Sequence, residues 1–300
     1  MNSTPPIART RQQILPQRRA AFSPSHWIGR VLIYLTLASI AFVILIPFAW
    51  TISTALKTPR QALMYPPEWI PDPVVWQNFI TAWTSKPFDV FYRNSLFIAA
   101  LSIIGQILSC SLVAYGFARL RFPGRDILFL VVLSTLMIPF QVLIIPRFVL
   151  FKTLGWLNTL LPLIVPNFFG GAFNIFLLRQ YFMTIPTELD DAAKIDGCGH
   201  WDIFWRIILP LSKPALGAVM VFEFLDSWDD FLGPLIYISS EKYYTVALGL
   251  NAFRNDYFME WNLFMAAAAV AMALPLVIFF IAQKYFIGGI ALTGSGGLKQ

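Results

Sequence analysis

Glu223, Asp226 and Asp230 recur at i, i+3 and i+7 in a stretch that is otherwise apolar, with Asp229 about a turn beyond Asp226. A helix gathers the first three on one face. Carboxyl groups in so apolar a segment need partners or water to offset their desolvation, which makes Glu223 and Asp226 candidates for lining an ion or solute pathway. For Asp229 and Asp230 a helix end emerging into water is the alternative. Polar breaks occur elsewhere too. Pro139 and Pro146 kink or end one apolar run and free carbonyls near Gln141, while Asn167, Gly170, Gly171 and Asn174 interrupt the next. Gln141, Asn167 and Asn174 therefore join the candidate lining, with interhelical hydrogen bonding and close helix packing as the competing account of the same residues.

Other chemistry is missing. The chain has no G-x-x-x-x-G-K-[ST] loop to cradle a nucleotide, and in the nearest segment, Gly294 to Lys299, Lys stands where the second Gly belongs. It has no H-E-x-x-H and no G-x-S-x-G, and His26 and His200 are its only histidines. Cys110 and Cys198 make neither a disulfide framework nor a zinc site. No catalytic and no metal-binding residue is assigned.

Of the 300 residues 57% are hydrophobic and 13% charged, against about 25% charged in a soluble domain. These charges are too few to coat a soluble domain, and the same composition excludes a disordered chain. A net charge of +6 does not indicate nucleic acid, because the basic residues punctuate long uncharged stretches and form no basic face mixed with aromatics. The composition is that of a membrane protein.

A helix needs about 20 apolar residues to cross a hydrocarbon core of about 30 Å. Twenty-six uncharged residues lie between Arg30 and Lys57, and similar runs extend over Asn94 to Ala118, Ile127 to Pro146, Thr153 to Leu178 and Trp261 to Gln283. Pro214 to Ser240, despite its acids, makes a sixth. The expected fold is all-α, a polytopic membrane protein with six transmembrane helices. Five arginines and no acid in the first 30 residues keep the N-terminus cytoplasmic. An even number of spans returns the C-terminus to the same side. Arg119, Arg121 and Arg125 then lie in a cytoplasmic linker, and Lys57 to Phe79, with its prolines and tryptophans, is an external loop at the interface. Residues 1–29 are a basic cytoplasmic tail and 30–300 the transmembrane domain.

The most polar internal stretch on the cytoplasmic side is patterned. Pro186 to Pro210, PTELDDAAKIDGCGHWDIFWRIILP, reads as two short helices. Thr187 is placed as an N-cap with Asp190 three residues on, Glu188, Asp190 and Asp191 suit the positive helix start, and Gly197 supplies the stop. Leu189, Ala192 and Ala193 form a narrow face suited to contact with another protein, and after the turn Trp201, Phe204, Trp205 and Ile208 form a second face toward the membrane or the bundle. A surface hairpin packing only on its own protein has the same periodicity.

Asp191-Ala192-Ala193, three residues, Gly197, nine residues and Ile207-Ile208-Leu209-Pro210 resemble the EAA loop of permease subunits of binding-protein-dependent ABC importers, with Asp191 in place of the usual Glu. The resemblance covers about residues 89–287 as a core, with the loop at 186–210. Arg93 to Leu96, Phe117 to Arg125, Met137 to Val142, Ile175 to Phe182 and Gln283 to Lys299 look like the carbohydrate branch that includes the second permease subunit of maltose-type systems. Where that branch has Trp-Asn-Asp, this chain has Trp228-Asp229-Asp230. The resemblance implies an inner-membrane importer for a sugar or related solute, in a complex with a second permease subunit, two cytoplasmic ATPase subunits and an extracytoplasmic solute-binding protein. It implies ATP and Mg in the partner ATPase and no cofactor in this chain. It also implies that Glu188, Asp190, Asp191, Ala192, Ala193 and Gly197 couple to the ATPase. The rival readings are a self-sufficient channel or secondary transporter using the acids, and a membrane enzyme with a carboxylate-only site.

Overall fold

The computed structural model describes residues 24–253 and 259–294, and among these the chain is built of helices without a β-sheet. Residues 1–23, 254–258 and 295–300 lie outside the described residues, and the end of the expected tail, 24–29, already belongs to the first helix. Two units are distinguished, residues 1–49 and 50–300. The first contributes most of α1 (Pro24–Ala55), an apolar helix long enough to span.

The second unit holds the rest. α2 (Gln77–Thr84) precedes α3 (Phe88–Arg119), α4 (Arg125–Ser134) and α5 (Phe140–Thr153). A short α6 (Leu161–Ile164) and a 3-10 stretch, Val165–Phe169, lead to α7 (Ala172–Thr184). α8 (Glu188–Ile195) and α9 (His200–Ile203) follow, the latter continuing through a π-helical turn, Phe204–Ile208. Then come α10 (Lys213–Asp229), α11 (Leu232–Tyr237), α12 (Val246–Leu250) and α13 (Trp261–Gly294).

Four stretches are long and apolar enough to span by themselves: Trp27–Ala55, Phe88–Arg119, Leu161–Thr184 and Trp261–Gln283. Two more are bent pairs, Arg125–Met137 with Phe140–Thr153 at 97° and His200–Leu211 with Lys213–Asp229 at 76°. Counting each pair as one span gives six. Several boundaries read from charge differ for a common reason: a helix tolerates charge that a hydropathy count excludes. α3 begins at Phe88, not Asn94, because Asp89 suits the positive end of a first turn and Arg93 is one turn further in. Pro139 does break the third span, but Pro146 lies inside α5, which carries Arg147 and Lys152 on to Thr153. The fourth span accordingly starts at Leu161, not Thr153, and ends at Thr184. The sixth stretch ends as a helix at Asp229, and α11 is a separate element.

α3 is the central element, packed against α7 on one side and α10 on another. Its two halves serve two cores. Toward Arg119, Ala114, Tyr115 and Phe117 pack with Leu178, Phe182, Ile203, Phe204 and Ile208. Toward Phe88, Phe91 and Ala99 pack with Phe224, Trp228, Val246 and the small residues Ala266, Ala267 and Ala271 of α13. Small side chains let helices approach where lipid supplies no hydrophobic drive between them. Hydrogen bonds then fix the register, at about 0.6 kcal/mol each on average in a membrane. Tyr92 Oη donates to the Val270 carbonyl at 2.7 Å and Asn94 Nδ2 donates to the Lys242 and Tyr244 carbonyls, both at 2.9 Å. The Val246 N–H donates to Ser95 Oγ at 2.9 Å. Beside the end of α1, Asn78 Nδ2 donates to the Ala55 and Lys57 carbonyls at 2.8 Å, and Asn262 Nδ2 donates to Asn78 Oδ1 at 3.2 Å.

Candidate functional site

α8 forms where Pro186 ends the preceding segment and three acids crowd the first turn. Its start is not the expected capping box. Thr187 has helical dihedrals and its side chain caps nothing, and the Asp190 side chain, the reciprocal half of such a box, faces Arg119 instead. Its end is as expected. Gly197 has φ +85°, its N–H donates to the Lys194 carbonyl at 3.0 Å, and the Cys198 N–H donates to the Ala193 carbonyl at 2.9 Å, the paired bonds of a Schellman motif.

The predicted coupling residues divide between two faces. Asp190 and Ala193 are buried against the body of the protein, whereas Glu188, Asp191, Ala192 and Gly197 are exposed. The outward apolar residues are therefore Leu189, Ala192 and Ile195, the last 87% exposed, and Ala193 belongs to the inner face. Asp191 is held by Lys194 Nζ at 3.0 Å. The inner face is pinned to α3: Arg119 Nε lies 3.5 Å from Asp190 Oδ2, and Arg119 Nη2 donates to the Ile185 carbonyl at 2.7 Å. Tyr115 Oη donates to the His200 carbonyl at 3.1 Å, one turn earlier on α3. The second hairpin arm also rotates from its expected face. Ile203, Phe204 and Ile208 are buried, while Trp201 and Trp205 stay exposed, Trp205 meeting the Phe204 ring edge-on and Trp201 at a tilt.

Deeper along α3 lies a cavity of about 1010 Å³, and every candidate pathway residue lines it: Gln141, Asn167, Asn174, Glu223 and Asp226. The asparagines border this cavity and are also hydrogen-bonded between elements. Asn167 Nδ2 donates to Ser102 Oγ at 2.7 Å, and Asn174 Nδ2 donates to Gln106 Oε1 at 3.3 Å. Gln106 Oε1 also accepts the Gly171 N–H at 3.1 Å, and its Nε2 donates to Asn167 Oδ1 at 3.3 Å. This network satisfies backbone freed where the fourth span breaks at Gly170 and Gly171, as non-helical backbone at membrane depth requires. Gly105 permits that break to sit close, because a Cβ there would lie 2.7 Å from the Phe168 ring.

Glu223 is buried and accepts from Ser227 Oγ at 3.4 Å, while Asp226 and Asp229 are exposed on the same wall. Asp230 is not simply solvated: its Oδ1 accepts the Gly233 N–H at 2.9 Å and so starts α11. Arg147, Gln106 and Tyr237 join the lining unforeseen. For Gln106 the available signal was a lone amide in an apolar run, and for Arg147 the overlooked continuation of α5.

A helical, multi-pass membrane protein with a polar cavity and a hairpin clasped to one end of its central helix is the class this geometry defines. Residues 106–291 match the family of binding-protein-dependent transport system inner membrane components. The chain is 33% identical over 263 residues to the arabinooligosaccharides transport system permease protein AraQ of Halalkalibacterium halodurans, covering 87% of this chain and 94% of that protein. It is 33% identical over 256 residues to the sn-glycerol-3-phosphate transport system permease protein UgpE of Yersinia pseudotuberculosis, covering 83% and 91%. Its fold is shared with a bacterial ABC transporter involved in importing the acidic polysaccharide alginate, at TM-score 0.76 and 20% identity over 88% of this chain and 99% of that one. A second structure, of a bacterial alginate ABC transporter in complex with an alginate pentasaccharide-bound periplasmic protein, matches at TM-score 0.64 and 16% identity over 85% and 92%. The chain belongs to the binding-protein-dependent permease family and is a transport subunit of an ABC importer, not an enzyme.

Proposed function

We propose that this chain forms half of the pathway of a sugar importer, beside a second permease subunit, with two cytoplasmic ATPase subunits that hold ATP and Mg and a solute-binding protein outside. Both termini are then cytoplasmic, and 186–210 faces the ATPase. One observation carries the reading: α8 is fastened through Asp190 to the same helix whose Gln106 borders the cavity. An ATPase that holds α8 differently in its open and closed forms biases the cavity by that differential contact. The surface offered to it is Glu188, Leu189, Asp191, Ala192, Ile195 and Gly197, with Asp190 and Ala193 holding the helix from behind. For a sugar the support is the arabinooligosaccharide system of the relative AraQ and a cavity whose walls alternate polar groups with Phe140, Phe173 and Phe222.

The test is a surface change that leaves the bundle untouched. Ile195→Glu and Ala192→Trp should each insert and pair with the partner permease, yet lose most of the co-purifying ATPase and of ATP-dependent uptake in vesicles. Retention of the ATPase and wild-type uptake in both variants would overturn the docking assignment.

A further inference from the structure

The cavity is lopsided in charge. Its lining carries the carboxyl groups of Glu223, Asp226, Asp229 and Asp230 and, among the described residues, one basic side chain, Arg147. None of the four acids is ion-paired among the described residues. Arg147 Cζ instead sits 5.5 Å from the Phe140 ring centroid. A second, independent feature points to a ligand. Tyr237 Oη and Asn174 Oδ1 are buried without a hydrogen-bond partner, on side chains of residues only 4% and 7% exposed, and both residues line this cavity. A buried hydroxyl and a buried amide oxygen left unmatched are costly, and both match the hydroxyls of a solute. Carboxylates between low-dielectric walls focus a negative potential that concentrates cations and repels anions.

We propose that this subunit itself sets charge selectivity: its cavity admits uncharged or cationic solutes, with Glu223 and Asp226 accepting from their hydroxyl or ammonium groups, and rejects anionic ones. The inference rests on the pathway reading above, and the experiment separates the two. Ser227→Cys, on the same wall, is placed in a Cys198→Ala background, Cys110 being buried, and the assembled complex is treated with three methanethiosulfonates, one neutral, one bearing trimethylammonium and one bearing sulfonate. After division by the rates for a free thiol, the cationic reagent should outpace the anionic one by about tenfold or more. Glu223→Gln combined with Asp226→Asn and Asp229→Asn should bring that ratio toward one. Reaction with the neutral reagent but a ratio near one in the acidic parent overturns charge selection and leaves the pathway standing. Inertness to the neutral reagent overturns the pathway reading, and charge selection with it.

Discussion

The guanidinium of Arg119, at the last residue of α3, lies 3.5 Å from the carboxylate of Asp190 in α8, and the two side chains are 4% and 10% exposed. The contact is one of charges more than of hydrogen bonds, since Arg119 Nε and Asp190 Oδ1 have no hydrogen-bond partner. What anchors the guanidinium is its bond to the Ile185 carbonyl. A buried pair of this kind contributes little net stability over an apolar replacement, yet removing one partner strands a charge.

We therefore predict that Asp190→Leu and Arg119→Met each destabilise the docked hairpin by about 3–5 kcal/mol, whereas the two together recover most of the loss. Thermal unfolding of the purified complex across the double-mutant cycle measures this. If the clasp also transmits motion, the recovered double variant should hydrolyse ATP with reduced uptake per ATP. Equal stability of the two single variants and the parent would remove the clasp from the account.

At Gly197 the expected effect is purely conformational. Its φ is +85° and a Cβ built there meets nothing within 4 Å of this chain. Uptake should fall in the order Gly, Asn, Ala, Val, because Asn tolerates the left-handed region and a β-branched residue does not. Asn falling below Ala, in order of size, would point instead to side-chain bulk in the ATPase cleft.

Gln106→Leu should lower the unfolding temperature of the complex, by the equivalent of about 1–3 kcal/mol, as it leaves the Asn174 amide and the Gly171 N–H short of their acceptor. Gln106→Glu keeps an acceptor for both, so it should be milder. The reverse order of the two variants would show that the network is not organised around this acceptor.

The proposed orientation, with both termini cytoplasmic, rests on the five arginines of the tail and on counting each bent pair as one span. A reporter fused after Gln300 should be active only as a cytoplasmic fusion, and activity confined to the outside would overturn the orientation.

What could be read in advance was whatever depends on spacing. The Gly197 stop and the shared wall of Glu223 and Asp226 are one-dimensional patterns that the structure keeps, whereas Asp230, expected on the same helical face, lies just past the end of α10 with extended backbone and accepts the Gly233 N–H instead. What could not be read depends on which neighbour a side chain meets. Asp190 and Asp191 are adjacent and chemically alike, yet one is buried on Arg119 and the other is exposed beside Lys194. Only the approach of α3 decides between them. The same holds for Ala193, which shares a helical face with Leu189 and Ala192 but turns into the core. Arg147 is not legible from hydropathy because a charge ends an apolar run in such a count, whereas a helix that lines a polar cavity can carry one.

α3 is one unbroken helix of 32 residues, and its holds are spread along it: Asn94 and Ser95 toward one end, Gln106 near the middle and Arg119 at the other end. At 1.5 Å per residue the holds at Asn94 and Arg119 lie about 18 and 20 Å from Gln106. With Gln106 as the fulcrum of a see-saw, a tilt of about 10° displaces both ends by about 3 Å in opposite directions, with no helix needing to melt. A pull on the hairpin would then loosen or tighten the far latch at Lys242 and Tyr244 in the same stroke.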